Sequence, residues 1–295
     1  MKKLIILVLL LLLISCRGSV PKFNSSRAWQ YLEEQCELGP RVSGSDEIEL
    51  CRNYITTILN KNDAKVEKQQ FEAQIDGKTY QGVNIIAHFY PRRSRRVLLG
   101  AHYDTRPWAD KEENPQLHNT PIIGANDAAS GVAVLLEIAN ILNNNEPEQY
   151  GVDLVFFDLE DMGDYGERES WCLGSKYFVK NFNGVEPEKV IIVDMIGDKN
   201  LNIEMEYFSY HNSPRLVNQV WEIATELGFE EFIPEIGQVV YDDHYPFIEK
   251  GFNAIDIIDF DYPRWHTLED TPDKCSPVSL NIVGEILLDL IYSTE

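Results

Sequence analysis

The chain is short of positive charge. Its 26 lysines and arginines face 48 aspartates and glutamates, a formal net charge of −22 at pH 7. Such a field repels a phosphate backbone or an anionic lipid surface, which excludes nucleic acid as a partner and favours cationic groups such as peptide amino termini. Cysteine is sparse too, five in 295 residues, and none stands in a Cys-x-x-Cys or Cys-x-x-His spacing, so a small structural zinc module is excluded. No Gly-x-Ser-x-Gly elbow occurs, which removes the usual serine nucleophile. There is no internal repeat and no low-complexity tract. The apolar run from Leu4 to Ile14 falls well short of the ~20 residues a permanent bilayer-spanning helix needs.

Lys2 and Lys3 precede that run and Ser15-Cys16 close it, so residues 1–16 read as an export signal. The ending Leu-Ile-Ser-Cys resembles the lipobox of bacterial lipoproteins. That resemblance implies an exported protein of the cell envelope, acylated at Cys16 and attached to membrane only through it. Residues 17–25 then form a tether, and 26–295 one domain, because 44% hydrophobic content is enough for a sizeable core; the expected state is a monomer. Export permits disulfides among Cys36, Cys51, Cys172 and Cys275. Cys36 and Cys51 are the first pair to suspect, with other connectivities and none at all left open.

Helical apolar spacing marks residues 26–38, 46–59, 128–142, 214–227 and 277–292. Between them lie the β-type runs VEKQQFEA, GVNIIAHFY, RRVLLGAHYD, VDLVFFDLED, KVIIVDMIGD and FNAIDIIDFD. The last four are continuously apolar, as strands covered on both faces are. Strands alternating with helices predict an α/β fold, a single domain with a central mixed, mainly parallel twisted sheet and helices on both faces.

Each central strand ends in acids or histidine: His102 and Asp104, then Asp158, Glu160 and Asp161, then Asp194, then Asp259 and Asp261. Ligands of open α/β sheets bind outside the carboxyl ends of the strands, so these groups are expected to converge on one crevice, although any one acid there is as readily a turn former. Asp127 follows the glycine-bearing loop of GANDAASG and precedes a helix, which equally suits a helix cap. His102 and Asp104 share one face of an extended segment, a pairing suited to zinc or to a histidine oriented by an acid. Glu160 and Asp161, being adjacent, point apart and can do different work. Trp265-His266-Thr267 follows a strand and a Pro-containing loop.

In order along the chain, GAHYDT, GANDAASG, FFDLED, VDMIGD, DDHYPF and WHT resemble the zinc aminopeptidases of the M28 type and their relatives the animal-type glutaminyl cyclases. The resemblance covers roughly residues 28 to 290. It implies that Asp127, Asp161 and His266 hold zinc and that Glu160 is the general acid/base. In the two-zinc aminopeptidases the positions matching His102 and Asp194 hold a second ion, with the Asp127 position bridging. Glu160-Asp161 where the peptidases usually have Glu-Glu, Asp242-Asp243-His244 where they often have Ser-Asp-His, and Trp265 before the ligand histidine all lean toward the cyclases.

The resemblance therefore implies a glutaminyl-peptide cyclotransferase acting on peptide or protein amino termini, with one zinc, Trp265 as a pocket wall, and Asp194 and Asp242 beside Glu160. The alternative is an aminopeptidase with two zincs, and a remote one is a binding lipoprotein with no catalytic need for Glu160. His118, His211 and His244 have no clear liganding pattern, and Trp108 and Trp171 are pocket walls or packing. GDYGERES and DTRPWADKEENPQLHNT read as surface loops near the site.

Overall fold

A computed structural model describes residues 20–293. The apolar leader, Cys16 and the first part of the tether lie outside the described residues. Among those described, no helix is long and apolar enough to cross a membrane.

Two amphipathic helices open the domain. The Asn24 side chain accepts from Arg27 N and caps α1 (Ser25–Glu37), and Ser45 caps α2 (Asp46–Lys61) through Ile48 N. A long hairpin follows, β1 (Lys65–Ile75) and β2 (Lys78–Phe89). Then come β3 (Arg96–His102), α3 (Ala129–Asn144), β4 (Gly151–Phe157), α4 (Leu173–Lys180) and β5 (Lys189–Asp194). The remainder is β6 (Ile203–Met205), α5 (Tyr207–Asn212), α6 (Pro214–Leu227), β7 (Phe232–Ile236), α7 (Tyr245–Lys250), β8 (Ala254–Ile258) and α8 (Pro277–Tyr292). The main sheet runs β1-β2-β4-β3-β5-β8, and β6 pairs with β7 alone. Strands β4, β3, β5 and β8 are mutually parallel, whereas β1 and β2 join antiparallel.

Period-two alternation sorts the sheet's side chains between two cores. Leu99, Ala101, Val152, Leu154, Phe156, Ile191, Val193, Ile255 and Ile257 face a large core shared with α1, α2, α3, α6 and α8. Leu98, Val155, Phe157, Val190 and Ile192 face a smaller one under α4 and α7. Helices therefore cover both faces, as predicted. Burial on both sides explains why the parallel strands read as unbroken apolar runs. The short β6, β7, α5 and α7 were not foreseen, since three to six residues carry too little periodicity to read.

Strand β3 lies between β4 on one side and β5 on the other. The chain leaves β3 one way, returns across it and continues the other way, so the sheet has its switch point at the carboxyl end of β3. His102 closes β3, residues 158–161 follow β4, and Asp194 closes β5.

The four described cysteines are free and buried. Cys36 and Cys51 sit as thiols in the core between α1, α2 and the sheet, and burial pushes both up to about 12. The suspected Cys36–Cys51 disulfide is thus absent.

Candidate metal centre

The glycine-bearing loop before α3 delivers Asp127. Gly124 adopts φ +64°, and a Cβ there would lie 2.3 Å from the Asp127 carbonyl oxygen, so only glycine fits the turn. Asp127 does not cap the helix. Ala128 is the N-cap and makes no side-chain cap. The carboxylate is instead free to face inward, with backbone N–H groups of Asn126 and Asp127 donating to the Asp270 carboxylate at 2.9 and 3.2 Å. Asp270, four residues beyond His266, also accepts from the Tyr262 hydroxyl at 2.9 Å. It is a positioning residue that sequence reasoning missed. Burial and nearby Asp127 push its carboxyl up to about 7.

Asp127, Asp161 and His266 are all buried, and one donor atom from each lies within 4.8 Å of the others. His266 Nε2 is 3.1 Å from Asp161 Oδ1 and 3.5 Å from Asp127 Oδ2. Yet both Asp161 oxygens lack a hydrogen-bond partner among the described residues. Oδ1 has only the charges of His266 and, at 3.6 Å, of Arg106 Nη1 beside it, and a buried carboxylate that accepts no hydrogen bond is costly unless a ligand completes it. The other face of His266 is oriented, with Nδ1 2.8 Å from the Tyr165 hydroxyl and 3.4 Å from Asp110 Oδ1. Burial alone would raise the Asp110 carboxyl, but His266 and Arg106 bring it down to about 2. Two carboxylates plus an imidazole steadied by a second acid is a donor set that suits zinc and leaves a coordination position open.

On the far side of Asp127, His102 Nε2 lies 3.1 Å from both Asp127 Oδ1 and Asp194 Oδ1. His102, Asp127 and Asp194 also form a group that could hold an ion. Asp194 Oδ1 accepts from Met195 N as well, so this second set is partly satisfied within the protein. Its carboxyl is pushed up to about 7 by burial, with His102 opposing.

Glu160 is buried beside these groups. Donor atoms of Glu160, Cys172 and Asp242 lie within 4.8 Å of one another. Burial raises the Glu160 carboxyl well above its usual range; His102 opposes, while Asp161, Asp242 and Asp243 reinforce. The Cys172 thiol donates to Glu160 Oε1 at 3.3 Å, and Cys172 N donates to the Glu160 carbonyl at 3.0 Å. Cys172 adopts φ +55°, a left-handed turn that aims backbone and thiol at one residue. Nothing local in the sequence signals it.

The strand-end acids do not all converge. Asp158 Oδ2 accepts from Val83 N, Tyr103 and Arg52, and Oδ1 from Ser43 and Leu159 N, which makes it structural. Asp104 accepts from Glu160 N and Asp161 N at 3.1 and 3.2 Å and so shapes the turn that bears them. Asp259 and Asp261 engage Asn202 instead. His118 and His211 contact backbone carbonyls, and His244 is buried between Glu206 and Asp256. Trp108 packs with the Arg106 guanidinium. Trp171 and Trp265 both line an inner chamber of about 50 Å³ together with Asp127, Glu160, Asp161, Asp194, Asp242 and His266. The Trp265 ring centroid is 4.2 Å from that of His266.

An open α/β sheet whose switch point gathers carboxylates and histidines around unmatched oxygens defines a candidate metal-binding enzyme site. The chain belongs to Peptidase family M28, whose sequence model matches residues 84–291. It is similar to a glutaminyl cyclase of Bacteroides thetaiotaomicron solved with N-acetylhistamine (37% identity, TM-score 0.91, 94% of this chain and 100% of that one). A structure from the same organism described as a leucine aminopeptidase precursor matches comparably (37%, TM-score 0.91, 94% and 99%). Porphyromonas gingivalis glutaminyl cyclase is 38% identical, with TM-score 0.88 over 90% of this chain and 96% of that one. The Bacillus subtilis aminopeptidase YwaD is 26% identical over 258 residues, and this chain spans about half of its length.

Proposed function

We propose that the protein is a glutaminyl-peptide cyclotransferase, a zinc-dependent enzyme that converts an amino-terminal glutamine to pyroglutamate with release of ammonia. The observation that carries this reading is the buried Asp161, neither of whose oxygens makes a hydrogen bond among the described residues, whereas Asp194 of the second donor set contacts His102 and accepts from Met195 N. Peptide hydrolysis must activate a water, for which paired ions are useful. Cyclisation brings its own nucleophile.

Asp127, Asp161 and His266 would hold one zinc, which supplies Lewis acidity toward the γ-carbonyl of the substrate. Glu160 takes a proton from the α-ammonium. The freed α-nitrogen attacks the γ-carbon and closes a five-membered ring, Glu160 delivers its proton to the side-chain nitrogen as the bond to the γ-carbon breaks and ammonia departs, and the regenerated Glu160 carboxylate takes the remaining excess proton from the ring nitrogen and passes it to ammonia or solvent. This shuttle contributes on the order of a hundred- to ten-thousandfold. Asp194 and Asp242 keep Glu160 in an acidic environment, Cys172 fixes one of its oxygens, and Trp265 and Trp171 wall the glutamine side chain. The leader ending at Cys16 supports export and lipid attachment, with the amino termini of envelope or external peptides as substrates.

The second reading, an M28 aminopeptidase, draws on the same bridging Asp127, since His102 and Asp194 could join it around a second ion. One mass spectrum separates the two. Incubated with the zinc-loaded protein, Gln-Phe-Ala should lose the mass of ammonia while Leu-Phe-Ala stays intact. Release of the first residue from either peptide without cyclisation would overturn the cyclase reading.

A further inference from the structure

Beyond the inner chamber lies an outer cleft of about 270 Å³ walled by Tyr165, Trp171, Tyr241, Phe260 and Trp265. Trp171, Val240, Tyr241, Phe260 and Trp265 line both spaces. These five shared residues put the outer cleft on a route open to the residues that follow one seated in the inner chamber.

That cleft carries positive charge in a molecule that is otherwise strongly negative. Arg168 lines it, with its guanidinium 4.7 Å from the ring centroid of Tyr241 and 5.1 Å from that of Tyr245. Lys111 Nζ sits 4.4 Å from the ring centroid of Tyr165 and 5.0 Å from that of Trp265, two of the cleft's walls. Both cations are exposed. The neighbouring Glu169 is engaged by Lys176 at 3.2 Å, and among the described residues no carboxylate pairs with Arg168 or Lys111. Stacking on aromatic faces fixes where the two charges sit without neutralising them. Glu169 and Glu249 also act on Tyr241, but neither lines the cleft, and the acids of the centre line the inner chamber instead.

We propose that the outer cleft selects substrates by the charge of the residue that follows the amino-terminal glutamine, favouring an acidic side chain. The inference rests on the cyclase reading of the inner chamber. The average field of −22 argues the opposite way, for a lysine. At physiological ionic strength, however, that field is screened within about 8 Å, whereas Arg168 and Lys111 border the cleft itself. Exposed pairs of this kind change binding modestly, here by about two- to tenfold.

The test uses the zinc-loaded protein and three amidated peptides, Gln-Glu-Ala, Gln-Lys-Ala and Gln-Ala-Ala. The readout is the ratio of kcat/KM for the glutamyl over the lysyl peptide, which cancels general effects of a substitution. The ratio should lie between about two and ten, reside mainly in KM, and shrink at high salt. It should fall to about one in the Arg168→Gln/Lys111→Gln double variant and invert in Arg168→Glu. A wild-type ratio of one or below, or a ratio unchanged in the double variant, overturns the proposal. Failure to cyclise even Gln-Ala-Ala would sink the reaction instead. The subsite is then judged by tryptophan fluorescence titration with the same peptides, where equal or reversed affinities overturn it.

Discussion

Two buried clusters of ionisable side chains sit at opposite ends of one sheet and follow opposite rules. At the amino end of the parallel strands, Asp153 Oδ1 is 2.6 Å from His88 Nδ1 and accepts from Arg96 Nη2 at 2.5 Å, while Oδ2 accepts from Arg96 Nε at 2.6 Å. Burial alone would raise this carboxyl, but His88 and Arg96 hold it below its usual range. At the carboxyl end, both oxygens of Asp161, both of Asp243, one of Asp242 and Nδ1 of His102 are unmatched. Acids used to hold the fold are paired within it. Of the open ones, Asp161 and Asp242 line the inner chamber, where a ligand can complete them.

Breaking each cluster should separate activity from stability. Glu160→Gln keeps shape but removes the proton shuttle, and turnover should fall about a hundred- to ten-thousandfold with zinc retained. Near-normal turnover would remove Glu160 from the mechanism. At the other end, Asp153→Ala strands the buried Arg96 guanidinium. Unfolding in urea should show a loss of about 3–5 kcal/mol, with zinc content unchanged.

The third contrast concerns the metal-free protein. Asp161→Asn relieves an unmatched carboxylate crowded by Asp127 and should raise apo-protein stability by about 1 kcal/mol, while cancelling the rise in melting temperature that zinc confers on the wild type. A lower apo melting temperature in this variant would mean that Asp161 is structural after all.

The two ends should also respond oppositely to pH. Burial and Asp261 push the carboxyl of Asp259, just past β8, up to about 9 from 3.8. The folded state therefore keeps a proton that the unfolded chain releases, so this group favours folding at acid pH and withdraws stability as pH rises from about 4 to about 9. Asp259→Asn should flatten that decline. The depressed Asp153 carboxyl has the reverse sign. Its contribution is present above the unfolded value and is lost as pH falls through the folded one. The smallest effect belongs to Cys172→Ala, which should lower kcat about threefold with KM little changed, because one weak thiol hydrogen bond to Glu160 is lost. Cys172→Ser should restore part of it.

The sequence carried the parallel strands and their order of chemistry, because strands buried on both faces must be continuously apolar and the motifs stand at their carboxyl ends. His102, Asp127, Glu160, Asp161, Asp194, Asp242, Trp265 and His266 were all legible, and the fold brings them together. What was not legible is the division of labour among neighbouring acids. Asp158 looks like Asp161 in the sequence, yet Arg52, brought in by α2, takes it for structure. Asp270 and Cys172 act through tertiary contacts and a left-handed turn, which periodicity does not encode.

The central claim, that the donor set around the unmatched Asp161 marks one metal site, is tested most directly by zinc content after dialysis. The account predicts one zinc per chain in the wild type, none in Asp161→Asn, and one retained in His102→Gln. Two tightly held zincs in the wild type, with one lost in His102→Gln, would contradict it and favour the aminopeptidase.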